Sequence, residues 1–270
     1  MYFLCAVAGL FSMYAQTSYR EYYDRALELA RTDSLSQAEY FFKEALRAEP
    51  ANAQNALIFS NLGVVQHRMQ KYEMAVESFS LALNMLPDYV PVLLNRASSY
   101  LELGEVNRAL ADYNHILEID SNQTEALLMR AYIYMSRRAY GEARKDYESL
   151  LQIDPQSYAG RLGVVTLEQQ VGHHPEALMV LNGLVTEFPE EEELYIIRAN
   201  LHVDMDQAEA ALLDLEEAIR LNADNPIPYC IRGEIFLAQK KNAWAGRNFE
   251  KAISLGYPAS ELREQLKRIK

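Results

Sequence analysis

The sequence predicts an all-α solenoid of stacked helix hairpins, and three observations carry that prediction. Helix breakers are scarce: the 270 residues include Gly 11 and Pro 9, well below the roughly 12% of an average globular chain, which argues against a turn-dense β fold and against Pro/Gly-rich disorder. The chain matches itself when slid by 34 residues, a period of helical repeat arrays. Within that period apolar residues recur at spacings of three and four, which places them on one face of a helix. Half of the residues are hydrophobic, enough to bury a sizeable core.

Residues 1–18 read as a leader. Met1 to Ser18 carries no charge, the first charged residue being Arg20. The apolar stretch Phe3 to Phe11, followed by small and polar residues, has the length of a secretory h-region and is too short for the roughly 20 residues of a bilayer helix. The expected cut lies near Ala15–Gln16, as in exported proteins of Gram-negative bacteria, although the basic n-region is missing. The alternative is an uncleaved apolar helix that packs on the first repeat. Cys5 would leave with the leader, so Cys230 would be the one thiol of the mature chain. Two cysteines are too few for a disulfide framework or a thiolate zinc site.

Residues 19–259 divide into seven units: 19–52, 56–89, 90–123, 124–157, 158–191, 192–225 and 226–259, with Ala53 to Asn55 inserted after the first. The twentieth position of each is Ala38, Ala75, Ala109, Ala143, Ala177, Ala211 or Ala245. Four residues later stands Phe42, Phe79, Tyr113, Tyr147, Leu181, Leu215 or Phe249. The alanines admit a neighbouring helix and the large side chains fill the space beside them. The first half of each unit has its own stripe, such as Leu93, Ala97 and Tyr100. Gly104 and Gly172 mark the turn between halves, and Pro50, Pro87, Pro155 and Pro189 stop the second helix. Each unit is therefore a hairpin with two apolar faces that only stacking can bury. In the tail, 260–270, Ser260 is the expected N-cap of a closing helix with Leu262, Leu266 and Ile269 on its apolar side.

These units resemble the tetratricopeptide repeat (TPR) family over about nine tenths of the chain. The unit at 56–89 carries Leu62, Gly63, Tyr72, Ala75, Phe79, Ala82 and Pro87 in the family's places. Val165 departs from the pattern by standing where a small residue is usual, and Pro226 and Pro258 come slightly late. The resemblance implies a right-handed superhelix whose concave face, lined by the first helices, holds a protein segment.

Arginine recurs at the seventh position as Arg25, Arg96, Arg130, Arg198 and Arg232. A ladder of arginines invites an acidic ligand, but Asp112, Asp146 and Asp214 lie sixteen residues after Arg96, Arg130 and Arg198, level with them on the facing helix. Where the seventh residue is Leu62 or Val164, the partner position is Ser78 or Val180. The expectation is a structural ion pair within the hairpin. Arg232 faces Asn248, and Arg25 faces Phe41 as an exception.

Family groove positions fall on Leu94, Leu128, Tyr132 and Met135, with Asn61, Asn95 and Asn200 at the rims, and these are the candidate partner-binding residues. An apolar groove suits a peptide or helix; a tightly wound superhelix or the chain's own first segment would cover the same surface. No lysine occupies the groove positions by which some family members hold a C-terminal carboxylate. The formal charge of −12 argues against sequence-independent binding to nucleic acid or an anionic membrane. No nucleophile elbow or Gly-rich phosphate loop is present, and the adjacent His173 and His174 lack the i, i+4 spacing of a helical metal site. No catalytic residue, cofactor, metal or small-molecule substrate is expected. The favoured reading is an exported, periplasmic or envelope scaffold that binds a protein or peptide and meets the membrane only through its leader or a partner. An intracellular adaptor or targeting subunit with an uncleaved first segment is the alternative.

Overall fold

The computed structural model describes residues 18–269, and no strand occurs among them. The leader segment, with Cys5 and the cut near Ala15, lies outside the described residues, except that Ser18 falls within the first helix. That helix, α1, covers 18–31. It is followed by α2 (Leu35–Ala48), α3 (Asn55–Arg68), α4 (Tyr72–Met85), α5 (Val90–Glu102), α6 (Val106–Ile119) and α7 (Thr124–Ser136). Then come α8 (Tyr140–Ile153), α9 (Tyr158–Gln170), α10 (His174–Glu187), α11 (Glu192–Asp204), α12 (Ala208–Leu221), α13 (Ile227–Ala238), α14 (Asn242–Ser254) and the short α15 (Arg263–Arg268).

The chain forms two compact units, one reaching Ile133 and one beginning at Tyr134, so the boundary falls inside α7. In the first, each helix packs on its sequence neighbour from α2 to α6, and α3 also touches α5. In the second, the same holds from α8 to α14, with α11 touching α13. Thus first helices lie beside first helices within each unit.

Every first helix ends in the same turn. A left-handed residue closes it: Asp33, Gln70, Gly104, Arg138, Gly172, Asp206 or Lys240. The next amide reaches back to the last helical turn, as Lys71 N to Gln66 O (2.9 Å) and His173 N to Glu168 O (2.8 Å), closing a Schellman motif. Glycine takes this conformation freely, whereas a side chain there costs on the order of 1 kcal/mol. Second helices stop differently. Asx turns redirect the chain with or without proline: Asp120 Oδ1 accepts from Asn122 N at 3.0 Å, Asn222 Oδ1 from Asp224 N at 3.2 Å, and Asp154 Oδ1, before Pro155, from Gln156 N at 3.1 Å.

The recurring alanines and the large residues four positions on are buried throughout. Close approach sets residue size. A Cβ on Gly63 would stand 2.6 Å from the Phe79 ring, and one on Gly233 2.5 Å from Phe249. Val165 fits the same place because its neighbour there is Leu181, both fully buried in one cluster. A larger first-helix residue is thus matched by a smaller second-helix one, which keeps packing volume constant.

The tail differs from expectation at its start. Helix α15 begins at Arg263, and Ser260 does not cap it. After Pro258 the chain turns, with Glu261 N bonded to Pro258 O at 3.0 Å, and this drops Leu262 into the cluster of Tyr229, Leu237 and Phe249. Leu266 and Ile269 pack on the same cluster.

Candidate functional site

The arginine ladder uses its donors inside the stack. Arg96 Nε and Nη2 donate to the two carboxylate oxygens of Asp112 at 2.9 and 2.7 Å, and Nη1 donates to Ser80 Oγ at 3.1 Å. Arg198 repeats this with Asp214 at 2.9 and 2.7 Å and Asn182 Oδ1 at 3.0 Å. Arg130 Nη1 donates to Asn114 Oδ1 at 2.8 Å, and Asp146 is buried. Arg232 Nε donates to Asn248 Oδ1 at 2.7 Å, whereas Arg25 pairs with exposed Glu28. Burial would lower the Arg96 pKa, but the bonds and charge of Asp112 raise it. Ser80, Asn114 and Asn182 stand sixteen residues before their arginines, in the preceding hairpin. Each guanidinium therefore ties two hairpins together, a fork geometry that lysine could not supply.

Where the arginine is absent, a second kind of rung replaces it. Beside Leu62, Gln66 donates to Glu39 Oε1 of the previous hairpin at 3.3 Å and accepts from Ser78 Oγ at 2.7 Å. Lys43 and Lys71 each bring an Nζ to 2.7 Å from Glu39. Burial would raise the Glu39 pKa, yet the bonds from Lys43, Lys71 and Gln66 bring it down to about 2. Beside Val164, Glu168 forms a bidentate pair with Arg144 and sits 3.0 Å from His173 Nδ1. The Arg144 bonds hold the Glu168 pKa below its ordinary value against burial, with His173 assisting. Sequence reading missed this rung. Its signal is a polar residue at the eleventh position of a unit whose seventh is apolar.

In the first compact unit, the candidate partner-binding residues lie on α3, α5 and α7. Asn61 Nδ2 is engaged, donating to Tyr23 OH on α1 at 3.2 Å. Leu94 is half-buried against the core, and Asn95 and Leu128 are also half-buried. The Asn95 carbonyl accepts from Ser99 Oγ at 2.9 Å, and Ser99 Oγ lies 2.8 Å from His67 Nδ1, which links α3 to α5. Tyr132 is 42% exposed, and burial of its remainder raises its phenol pKa.

In the second compact unit, Met135 is half-buried and Asn200 is exposed. Asn200 lines a cleft of about 370 Å³ between α11 and α13, with Val203, Ala208, Ile231, Ile235 and Ala238 making it apolar. Asp206, Glu234 and Gln239 complete its lining. Sequence reading stopped at α11 and so missed α13's share, although Ile231, Ile235 and Ala238 follow i, i+4, i+7. The most exposed large apolar residues elsewhere in this unit are Met179 (73%) and Leu213 (68%), on second helices α10 and α12. Cys230 is buried, and burial with the Glu234 charge pushes its thiol up to about 11, away from the thiolate form.

Among the described residues, no group of three or more His, Cys, Asp or Glu is placed to hold a metal ion. No helix among them is long and apolar enough to cross a membrane. The site offers apolar contact and hydrogen bonding.

Family models described as tetratricopeptide repeat match residues 94–158 and 192–225. Human tetratricopeptide repeat protein 6 is 23% identical over 190 residues, covering 69% of this chain and 36% of that protein. Subunit 6 of the anaphase-promoting complex of Arabidopsis thaliana is 29% identical over 100 residues, covering 35% and 18%. The chain thus spans about a third or less of the length of these curated relatives. A tetratricopeptide repeat protein of Parabacteroides merdae, solved by crystallography, is 34% identical with a TM-score of 0.73, covering 94% of this chain and 99% of that one. With hairpin packing, turn geometry and this likeness in agreement, the chain belongs to the tetratricopeptide repeat family.

Proposed function

We propose that the chain is a non-catalytic scaffold that holds a peptide or helix of a partner protein against the face formed by its first helices. Tetratricopeptide repeat proteins generally mediate protein–protein interactions. The observation that carries the proposal is the α11–α13 cleft, which leaves apolar surface open on a first-helix face, with Val203 40% exposed at its wall. A folded chain that leaves concave apolar surface beside a few polar groups offers a binding site. In the other compact unit, first helix α7 carries exposed Tyr132 and half-buried Leu128. The structural part of the proposal is seven stacked units, with the guanidinium rungs as stabilising pairs and not ligand contacts.

Partner capture tests it: tagged full-length protein is crosslinked in its native host and compared with a Leu128→Asp, Tyr132→Asp, Val203→Asp variant that keeps its helical content. Loss of the partner supports the proposal, and unchanged recovery refutes it. Export to the periplasm or envelope is proposed on the composition of residues 1–18. N-terminal sequencing of host-made protein checks it, a mature start near Gln16 being the expected result and retained Met1 the contrary one.

A further inference from the structure

We infer that the α11–α13 cleft takes a partner segment carrying one large apolar side chain flanked by lysine or arginine. The inference rests on the first-helix face being the binding face and adds the chemistry of the occupant. Ile231, Ile235, Val203, Ala208 and Ala238 line the cleft, and its volume of about 370 Å³ is ample for a large apolar side chain. Its ionisable lining residues, Asp206 and Glu234, are both acidic. Glu234 Oε1 meets only a neutral donor, Gln265 Nε2 at 3.2 Å, and Asp204 Oδ2, at the end of α11, likewise meets Gln169 Nε2 at 3.1 Å. Of the cations close in sequence, Arg232 gives its Nε to Asn248 Oδ1 at 2.7 Å and lies over the Tyr229 ring at 5.4 Å, and Lys241 Nζ is held over the Phe236 ring at 5.7 Å; Lys240 follows Gln239 in the turn.

Other occupants fit less well. The chain's own closing helix has Leu262, Leu266 and Ile269 already packed against the α13–α14 cluster. A second copy would bring another formal charge of −12 to an acidic rim. A cationic flank answers the rim, and the apolar side chain meets the apolar lining, so the segment is selected by both.

The test is selection of random twelve-residue peptides on the full-length chain, followed by affinity measurement of the selected peptides. The expected peptides carry Leu, Ile, Met or an aromatic residue with Lys or Arg within three positions. Glu234→Lys weakens them about tenfold, Val203→Ser weakens them severalfold, and raising salt from about 0.05 to about 0.5 M weakens them further. A lysine-rich peptide lacking the apolar residue binds far more weakly. Neutral or acidic selected peptides that depend on Val203 but not on Glu234 overturn the inference while leaving the binding face standing. Selected peptides indifferent to both variants, or no selected peptide, overturn the inference and the binding face together.

Discussion

Breaking the Arg96–Asp112 rung from its two sides has unequal consequences. The side chain of Asp112 is 8% exposed and that of Arg96 is 20% exposed. Arg96→Met strands a carboxylate among buried neighbours and removes two charge-assisted bonds. The cost of orphaning a buried charge is about 3–5 kcal/mol, and partial solvent access at the arginine places this case at about 3 kcal/mol. Asp112→Asn leaves the guanidinium with Ser80, the Tyr100 ring at 5.8 Å and some water, and costs about 1–2 kcal/mol. The double variant loses less than the sum, with a coupling of about 1–2 kcal/mol. Urea unfolding followed by far-UV circular dichroism gives the stabilities, and hydrogen exchange in α5 and α6 localises the loss, since repeat arrays open locally. The reasoning fails if both single variants stay within about 0.5 kcal/mol of the parent, or if Asp112→Asn is the more damaging. It fails equally if stability is unchanged while partner binding disappears.

Three further outcomes follow from the same geometry. Because the folded Glu39 pKa lies at about 2, below the ordinary value of 4.5, its contribution is present above pH 4.5 and is lost as pH falls from there toward 2. Full linkage gives about 3 kcal/mol, reduced to about 1–2 because Lys43 and Lys71 are 40% and 39% exposed; acid titration of stability shows the loss, and Glu39→Gln flattens it. Gly63→Ala drives a methyl into the Phe79 ring and costs about 1–3 kcal/mol, with Phe79→Leu in the same chain recovering part of it in thermal melts. Lys240→Gly relieves a left-handed residue at φ 59° and raises stability by up to about 1 kcal/mol in denaturant unfolding.

The hairpin pattern was legible because it depends on residue size at fixed spacings: alanine where helices touch, a ring four residues on, and a turn that admits a left-handed residue. Charge pairing within a hairpin was legible for a related reason. A sixteen-residue offset places Arg96 level with Asp112, so the partner can be counted along the chain. The same offset counted backwards reaches Ser80 and Asn182, and reading in one direction missed them. Contacts across longer separations were less accessible. Asn61 looks like a rim amide open to a ligand until Tyr23, 38 residues away, is seen to engage it. Gln66 and Glu168 look like polar interruptions of an apolar stripe until Glu39 and Arg144 of the preceding hairpin supply the other half. The α13 side of the cleft was missed because Ile231 and Ile235 stand at the sixth and tenth positions of the last hairpin, whereas the family's groove positions led only to Asn200 on the α11 side. The end of the chain was misread because a serine ahead of an apolar stripe signals a cap, while burial of Leu262 fixes where the last helix starts.

The central claim is that a partner segment lies on the first helices, and covalent mapping tests it most directly. A selected peptide carrying a photoreactive leucine in place of its apolar residue is bound to the full-length chain, irradiated, and the attachment sites are read by mass spectrometry. Attachment at Val203, Ile231 or Ile235 is the predicted result. Attachment at Met179 or Leu213, on the exposed faces of second helices α10 and α12, would contradict it.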